Sequence, residues 1–163
     1  MVATQTTHAK PWCTPSSGCR ELDARSAMPS LLIVDDEELT CWALGKSLQG
    51  AGWAVRCAHS AEAAWELLTE AAADVLVADV GLPGEDGISL VIRVLERWPA
   101  IRCFVISANL TPGVRARAEG AGAIAALPKP LDLDAFKRTV AAVVLNPPQK
   151  AKGPKPPQGP KGR

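Results

Sequence analysis

Residues 75–87 read VLVADVGLPGEDG. Four apolar residues run up to one carboxylate, Asp79, and a turn rich in glycine and proline follows at once. A run this short and apolar at every position is the pattern of a strand buried on both faces in a parallel sheet. The same pattern recurs as LLIV at 31–34, CFVI at 103–106 and AIAAL at 123–127. Residues 53–58 differ. They alternate Trp53, Val55 and Cys57 with Ala54, Arg56 and Ala58, as an edge strand would.

Helical stretches lie between these runs. Residues 37–49 are followed by Gly50 and Gly52, which can end a helix. Ser60 is placed to cap residues 60–71, with Ala63, Ala64, Leu67 and Leu68 as the buried stripe. Residues 87–98 offer Ile88, Val91, Ile92 and Leu95 before Pro99. Residues 111–120 open on Thr-Pro, a cap followed by proline at the first helical position. Residues 133–145 offer Leu133, Phe136, Val140 and Val144, closed by Asn146-Pro147. Strand and helix alternate five times. Right-handed crossovers then predict a doubly wound α/β fold, a three-layer sandwich around a five-stranded parallel sheet.

At 163 residues the chain suits one ordinary domain. Its 47% hydrophobic and 21% charged residues give it a core and exclude disorder over most of its length. The net charge of +1 is unevenly spread. Residues 30–146 carry ten basic and fifteen acidic groups, whereas residues 147–163 carry five basic groups and no acidic one. An acidic body does not suit a nucleic-acid-binding core. Residues 1–29 show no periodicity and read as a disordered extension, with Met28 a candidate start. Residues 147–163, PPQKAKGPKPPQGPKGR, read as a disordered, extended basic tail, a solvated linker before they read as a ligand for acidic or proline-reading partners.

No apolar run approaches the roughly 18 residues of a membrane span. The N-terminus lacks a secretory pattern, so a cytoplasmic protein is expected. Cys41, Cys57 and Cys103 lie in apolar patterns and read as small core residues. Cys13 and Cys19 read as an incidental reduced pair, since no second Cys/His pair stands at metal-ligand spacing.

In a doubly wound sheet, ligands collect beyond the carboxyl ends of the strands. There the first strand ends in Asp35-Asp36, the third in Asp79, the fourth in Ser107 and the fifth in Lys129-Pro130. Carboxylates ~5 Å apart repel by roughly 3 kcal/mol per pair at an effective dielectric near 20. Three such pairs approach the whole ~5–15 kcal/mol stability of a domain. A hard divalent cation such as Mg²⁺ offsets that repulsion, and Lys129 adds one positive charge. Cation, hydroxyl and ammonium together suit a phosphoryl group. Alone, the acidic run would be an ordinary helix start, Asp79 a turn former and Lys129 a solvated loop residue. Their meeting on one edge favours the site.

LLIVDDEE, VLVADVGLPGEDG, VISA and LPKP, in this order over about residues 30–146, resemble the four motifs of the response-regulator receiver domain of bacterial two-component signalling, a CheY-like, flavodoxin-like fold. The resemblance implies that Asp79 is the phosphoacceptor. It implies that Asp35 and Asp36, with Asp79 and the Gly81 carbonyl, hold Mg²⁺. Ser107 would hydrogen-bond the phosphoryl group, Lys129 would pair with it, and the Lys129–Pro130 peptide would be cis. The phosphodonor would be a sensor histidine kinase or a histidine phosphotransfer protein. Only 17 residues follow Asn146. The expectation is therefore a single-domain regulator acting by protein contact, without specific DNA binding, or else a piece of a longer regulator.

The chain departs from the family in two places. Ala126 stands where receivers carry Tyr or Phe three residues before the lysine, and the sequence has no tyrosine. Pro128 removes a backbone donor beside Lys129. The missing aromatic leaves a second reading open, a receiver-like binding module that works without phosphorylation. An enzyme is disfavoured beyond slow self-phosphorylation and dephosphorylation. Gly81 sits where aspartyl-phosphate hydrolases prefer a second aspartate, no Gly-rich nucleotide loop is present, and neither His8 nor His59 makes a credible catalytic pair with serine. Trp42, on the first helix, reads equally as a docking anchor or a packing residue. Trp53, Trp65 and Trp98 read as core or boundary residues.

Overall fold

The computed structural model describes residues 28–145. Cys13 and Cys19, the closing Asn146-Pro147 and both terminal segments lie outside these residues. Five strands, β1 (Ser30–Val34), β2 (Ala54–Ala58), β3 (Val75–Asp79), β4 (Arg102–Ser107) and β5 (Ala125–Pro128), alternate with five helices. The helices are α1 (Glu38–Gln49), α2 (Ala61–Glu70), α3 (Gly87–Arg97), α4 (Pro112–Gly120) and α5 (Leu133–Leu145). All strand pairs are parallel, in the order β2-β1-β3-β4-β5. This is the flavodoxin-like, CheY-like arrangement, whose ligand crevice lies beside the first strand, where the strand order reverses.

Side chains alternate along a strand, so each central strand feeds two cores. Leu32, Val34, Leu76, Ala78 and Val105 pack with the apolar sides of α2, α3 and α4. Leu31, Ile33, Val77, Phe104 and Ile106 pack with α1 and α5 on the opposite face. The caps are local. The Ser60 hydroxyl accepts the Ala63 N–H at 3.2 Å and the Thr111 hydroxyl accepts the Val114 N–H at 3.2 Å. Among the described residues no helix is long and apolar enough to cross a membrane.

Four expectations need correction. The run 123–127 becomes a strand only from Ala125, because Gly122 (φ +96°) still turns the chain. That strand is an edge, buried fully only at Ala126, because it pairs with β4 alone. On α3 the buried side is Ile88, Leu90, Val91 and Val94, while Ile92 is exposed. The contiguous apolar residues 90–92 admit two phases, and packing chose the other. On α2 the buried residues are Ala61, Ala64 and Leu68, with Ala63 and Leu67 half-buried. Cys57 is exposed rather than a core residue, because β2 has no neighbour on its outer side, whereas Cys41 and Cys103 are buried.

Candidate functional site

The strands that form the core also deliver the polar groups. Asp35, one residue beyond β1, is fully buried. Its N–H donates to the Ala58 carbonyl at 3.1 Å, which extends the β1–β2 ladder and fixes its position. One carboxylate oxygen accepts the Glu37 N–H at 2.9 Å. The other lies 2.8 Å from Lys129 Nζ yet receives no well-aligned hydrogen bond. Asp36 is exposed at the rim.

Asp79 ends β3 and is buried beside β4. The turn after it depends on Gly87, where a Cβ would collide with the Asp79 carbonyl. A Cβ on Gly81 would stand 3.1 Å from Asp79 Oδ2, so that position also favours the smallest residue. Desolvation raises the Asp79 carboxyl above its ordinary value, and Asp35 adds to this. Lys129 and the Gly81 N–H oppose it.

Lys129 follows β5, and its N–H donates to the Ser107 carbonyl at 2.8 Å. Its amine lies 2.8 Å from Asp35, 3.3 Å from Glu37 and 3.4 Å from Asp79. Burial alone would lower this amine, but the three carboxylates outweigh it and hold it above its usual value. Ser107 is buried at the end of β4, and its hydroxyl accepts the Asn109 N–H at 3.2 Å. The Lys129–Pro130 peptide is cis.

Of the sequence-predicted residues, Asp35, Asp36, Asp79 and Lys129 thus come together, with Ser107 on the same edge of the sheet. Carboxylate oxygens of Asp35, Asp36 and Asp79 lie within 4.8 Å of one another. The sequence reading missed Glu37, which looked like part of a solvated acidic run but pairs with Lys129 and accepts the Thr40 hydroxyl at 3.0 Å. Its only signal was adjacency to Asp35-Asp36. Trp42 stands 64% exposed and Leu39 81% exposed on α1, which removes the packing alternative for Trp42. Trp53 is buried, and Trp65 and Trp98 pack together with ring centres 5.0 Å apart. A cleft of about 510 Å³ runs from Lys129 between α1 and the β5–α5 loop, with Leu39, Ala43 and Leu131 in its walls.

Four carboxylates meet one ammonium here, since Glu37 joins the three aspartates. The donor set fits a hard divalent cation. It is all oxygen, it is strongly negative, and the buried Asp35 Oδ2 retains unused acceptor capacity. Mixed burial, with Asp36 at the rim, leaves such a cation open to water or to an incoming anion on one side.

The family model for the response regulator receiver domain matches residues 31–141. The chain is 33% identical over 102 residues to the DNA-binding transcriptional regulator NtrC of Klebsiella pneumoniae. That match covers 63% of this chain and 22% of the relative, so the chain spans about a fifth of the length of such curated relatives. Among solved structures, a response regulator from Thermotoga maritima matches with TM-score 0.69 and 26% identity, over 74% of this chain and 100% of that one. A response regulator from Burkholderia pseudomallei with a phosphorylated aspartic acid, calcium ion and citrate matches with TM-score 0.63 and 25% identity, over 70% of this chain and 71% of that one. A family match across the whole sheet, joined to acids, hydroxyl and lysine at the ends of their respective strands, makes this chain a member of the response regulator receiver domain family.

Proposed function

We propose that residues 30–146 form a receiver that accepts a phosphoryl group on Asp79 from a phosphohistidine of a sensor histidine kinase or histidine phosphotransfer protein. The observation that carries this reading is the Asp79 carboxylate, buried against Asp35 and Asp36 and 3.4 Å from the Lys129 amine. Asp35, Asp36, Asp79 and the Gly81 carbonyl are the groups that would hold Mg²⁺, which supplies positive charge beside the transferring oxygens. An Asp79 oxygen attacks phosphorus. The P–N bond to the donor imidazole breaks, its electron pair stays on nitrogen, and an acyl phosphate forms on Asp79. Lys129 then exchanges part of its pairing with Asp35 and Glu37 for the new phosphoryl oxygens. The Ser107 hydroxyl, one residue past the β4 partner of Asp79, offers them a donor. The phosphorylated aspartic acid in the Burkholderia pseudomallei relative supports the same chemistry here.

The cleft beside Lys129, with Trp42 and Leu39 exposed on the adjoining helix, suits a docking helix from the phosphodonor. Output is read as protein contact in the cytoplasm. The NtrC relatives bind DNA, but this chain matches only their receiver-sized portion, so no DNA contact is assigned to it.

Ala126 favours a second reading. It is fully buried against the α2–α4 side where receivers carry a mobile aromatic, so that mode of switching is lacking. Acetyl phosphate with Mg²⁺ and intact-protein mass spectrometry separates the two. A phosphoryl increment on the wild type that is absent from Asp79→Asn supports phosphoacceptance. No increment on the folded wild type favours a module that works without phosphorylation.

A further inference from the structure

Outside the acidic site, two thiols meet between α1 and the outer edge of the sheet. Cys41 and Gly45 lie one turn apart on α1, and Val55 and Cys57 lie on one face of β2. Gly45 faces the strand, where a Cβ would stand in ordinary contact 3.9 Å from Val55 Cγ1. The next pair along the same faces is Cys41 and Cys57. Cys57 Sγ lies 3.7 Å from the Cys41 carbonyl, and both residues line one small cavity of about 220 Å³. Cys57 is exposed and Cys41 buried, so one thiol faces solvent and the other stands behind it.

We infer that Cys41 and Cys57 form a reversible intramolecular disulfide, with Cys57 attacking first and Cys41 resolving, and with a low-molecular-weight disulfide as the oxidant. The Cys57 thiolate attacks one sulfur of the oxidant, giving a mixed disulfide and releasing one thiol. Cys41 then attacks Cys57 Sγ, closing the bridge and releasing the second thiol. The protein loses two electrons, the oxidant gains them, and the two protein thiol protons end on the released thiols. The neighbouring Cys41 thiol, aided by the charge of His59 and opposed by desolvation, holds the Cys57 thiol below its usual range. The buried Cys41 thiol also reaches the Asp35 carbonyl at 3.6 Å, and His59 Nδ1 reaches it at 3.0 Å. Closing the bridge therefore takes one donor from the loop that carries the acidic pair.

The test treats the full chain with oxidised glutathione, then maps unreduced peptides by mass spectrometry. The expected result is a peptide pair joined through Cys41 and Cys57, dissolved by dithiothreitol. The Cys41→Ser variant should instead retain glutathione on Cys57, and Cys57→Ser should yield no product at Cys41. Persistent glutathione on wild-type Cys57 would overturn the inference. So would its pairing with Cys13, Cys19 or Cys57 of another molecule. Because Cys57 is exposed, its serine variant keeps the test independent of any folding defect at position 41.

Discussion

Replacing Asp79 with asparagine should make the domain more stable in the absence of divalent cations. In the wild type, oxygens of Asp35 and Asp36 lie within 4.8 Å of Asp79. A fully desolvated pair at that distance repels by about 3.5 kcal/mol at a dielectric near 20. Asp36 is exposed, so water screens roughly half of its share. The two repulsions then sum to about 5 kcal/mol, close to the attraction returned by Lys129 at 3.4 Å. With the charge terms nearly cancelled, desolvation decides, and it is the largest influence on this carboxyl. Asparagine keeps the shape and removes the buried charge, a gain of about 1–2 kcal/mol at neutral pH. For a domain of this size that raises Tm by about 3–8 °C. Desolvation raises the folded-state pKa, so the wild-type penalty is absent below the unfolded value of 3.8 and grows as pH rises through the folded value. The gain from asparagine should follow the same course. Calorimetry across pH with a chelator present measures it, and Mg²⁺ should then stabilise the wild type more than the variant. An Asp79→Asn Tm at or below that of the wild type at neutral pH would refute the reasoning.

Lys129→Met leaves the buried Asp35 without its cation and should lose about 3–5 kcal/mol in urea unfolding, partly restored by Mg²⁺; unchanged unfolding free energy contradicts this. Gly87→Ala forces a methyl group into the Asp79 carbonyl and should lose about 2–4 kcal/mol together with acetyl-phosphate labelling. Normal melting and labelling in that variant would show that the turn has slack. Trp42→Ala removes an exposed ring, so stability should stay within about 0.5 kcal/mol and acetyl-phosphate labelling should be unchanged. Transfer from a phosphohistidine partner should fall roughly tenfold; equal loss with both donors would remove Trp42 from docking.

The site was legible because a parallel sheet turns chain order into spatial order. The apolar runs of β1, β3 and β4 ended directly in a polar residue and that of β5 one proline short of Lys129; parallel strands place those ends on one edge, so Asp35, Asp79 and Lys129 met, with Ser107 beside them on that edge, without any need for exact boundaries. Residues whose environment depends on a neighbour's absence were harder. Cys57 alternates correctly with Arg56, but alternation names a face and not whether anything covers it. Ile92 sits in an unbroken apolar stretch, where helical phase is set by packing against β3 and β4 rather than by the pattern. Glu37 required the length of the Lys129 side chain, which carries the amine from the end of β5 to the start of α1. Strand five was overestimated because an alanine-rich run looks equally apolar at the middle and at the margin of a sheet.

Pro128 has a consequence for how molecules of this protein can meet. It pairs in register with Ser107, and the next residue, Lys129, directs its N–H inward to the Ser107 carbonyl. Backbone nitrogens alternate in direction along a strand, so the nitrogen of Pro128 faces the open margin and carries no hydrogen there. A foreign strand laid along that margin would find a gap in its hydrogen-bond ladder at this position. Growth of the sheet from one molecule into the next is therefore discouraged on the very side that ends in Lys129. A partner approaching there meets one backbone donor fewer, directly beside Lys129 and its acidic neighbours.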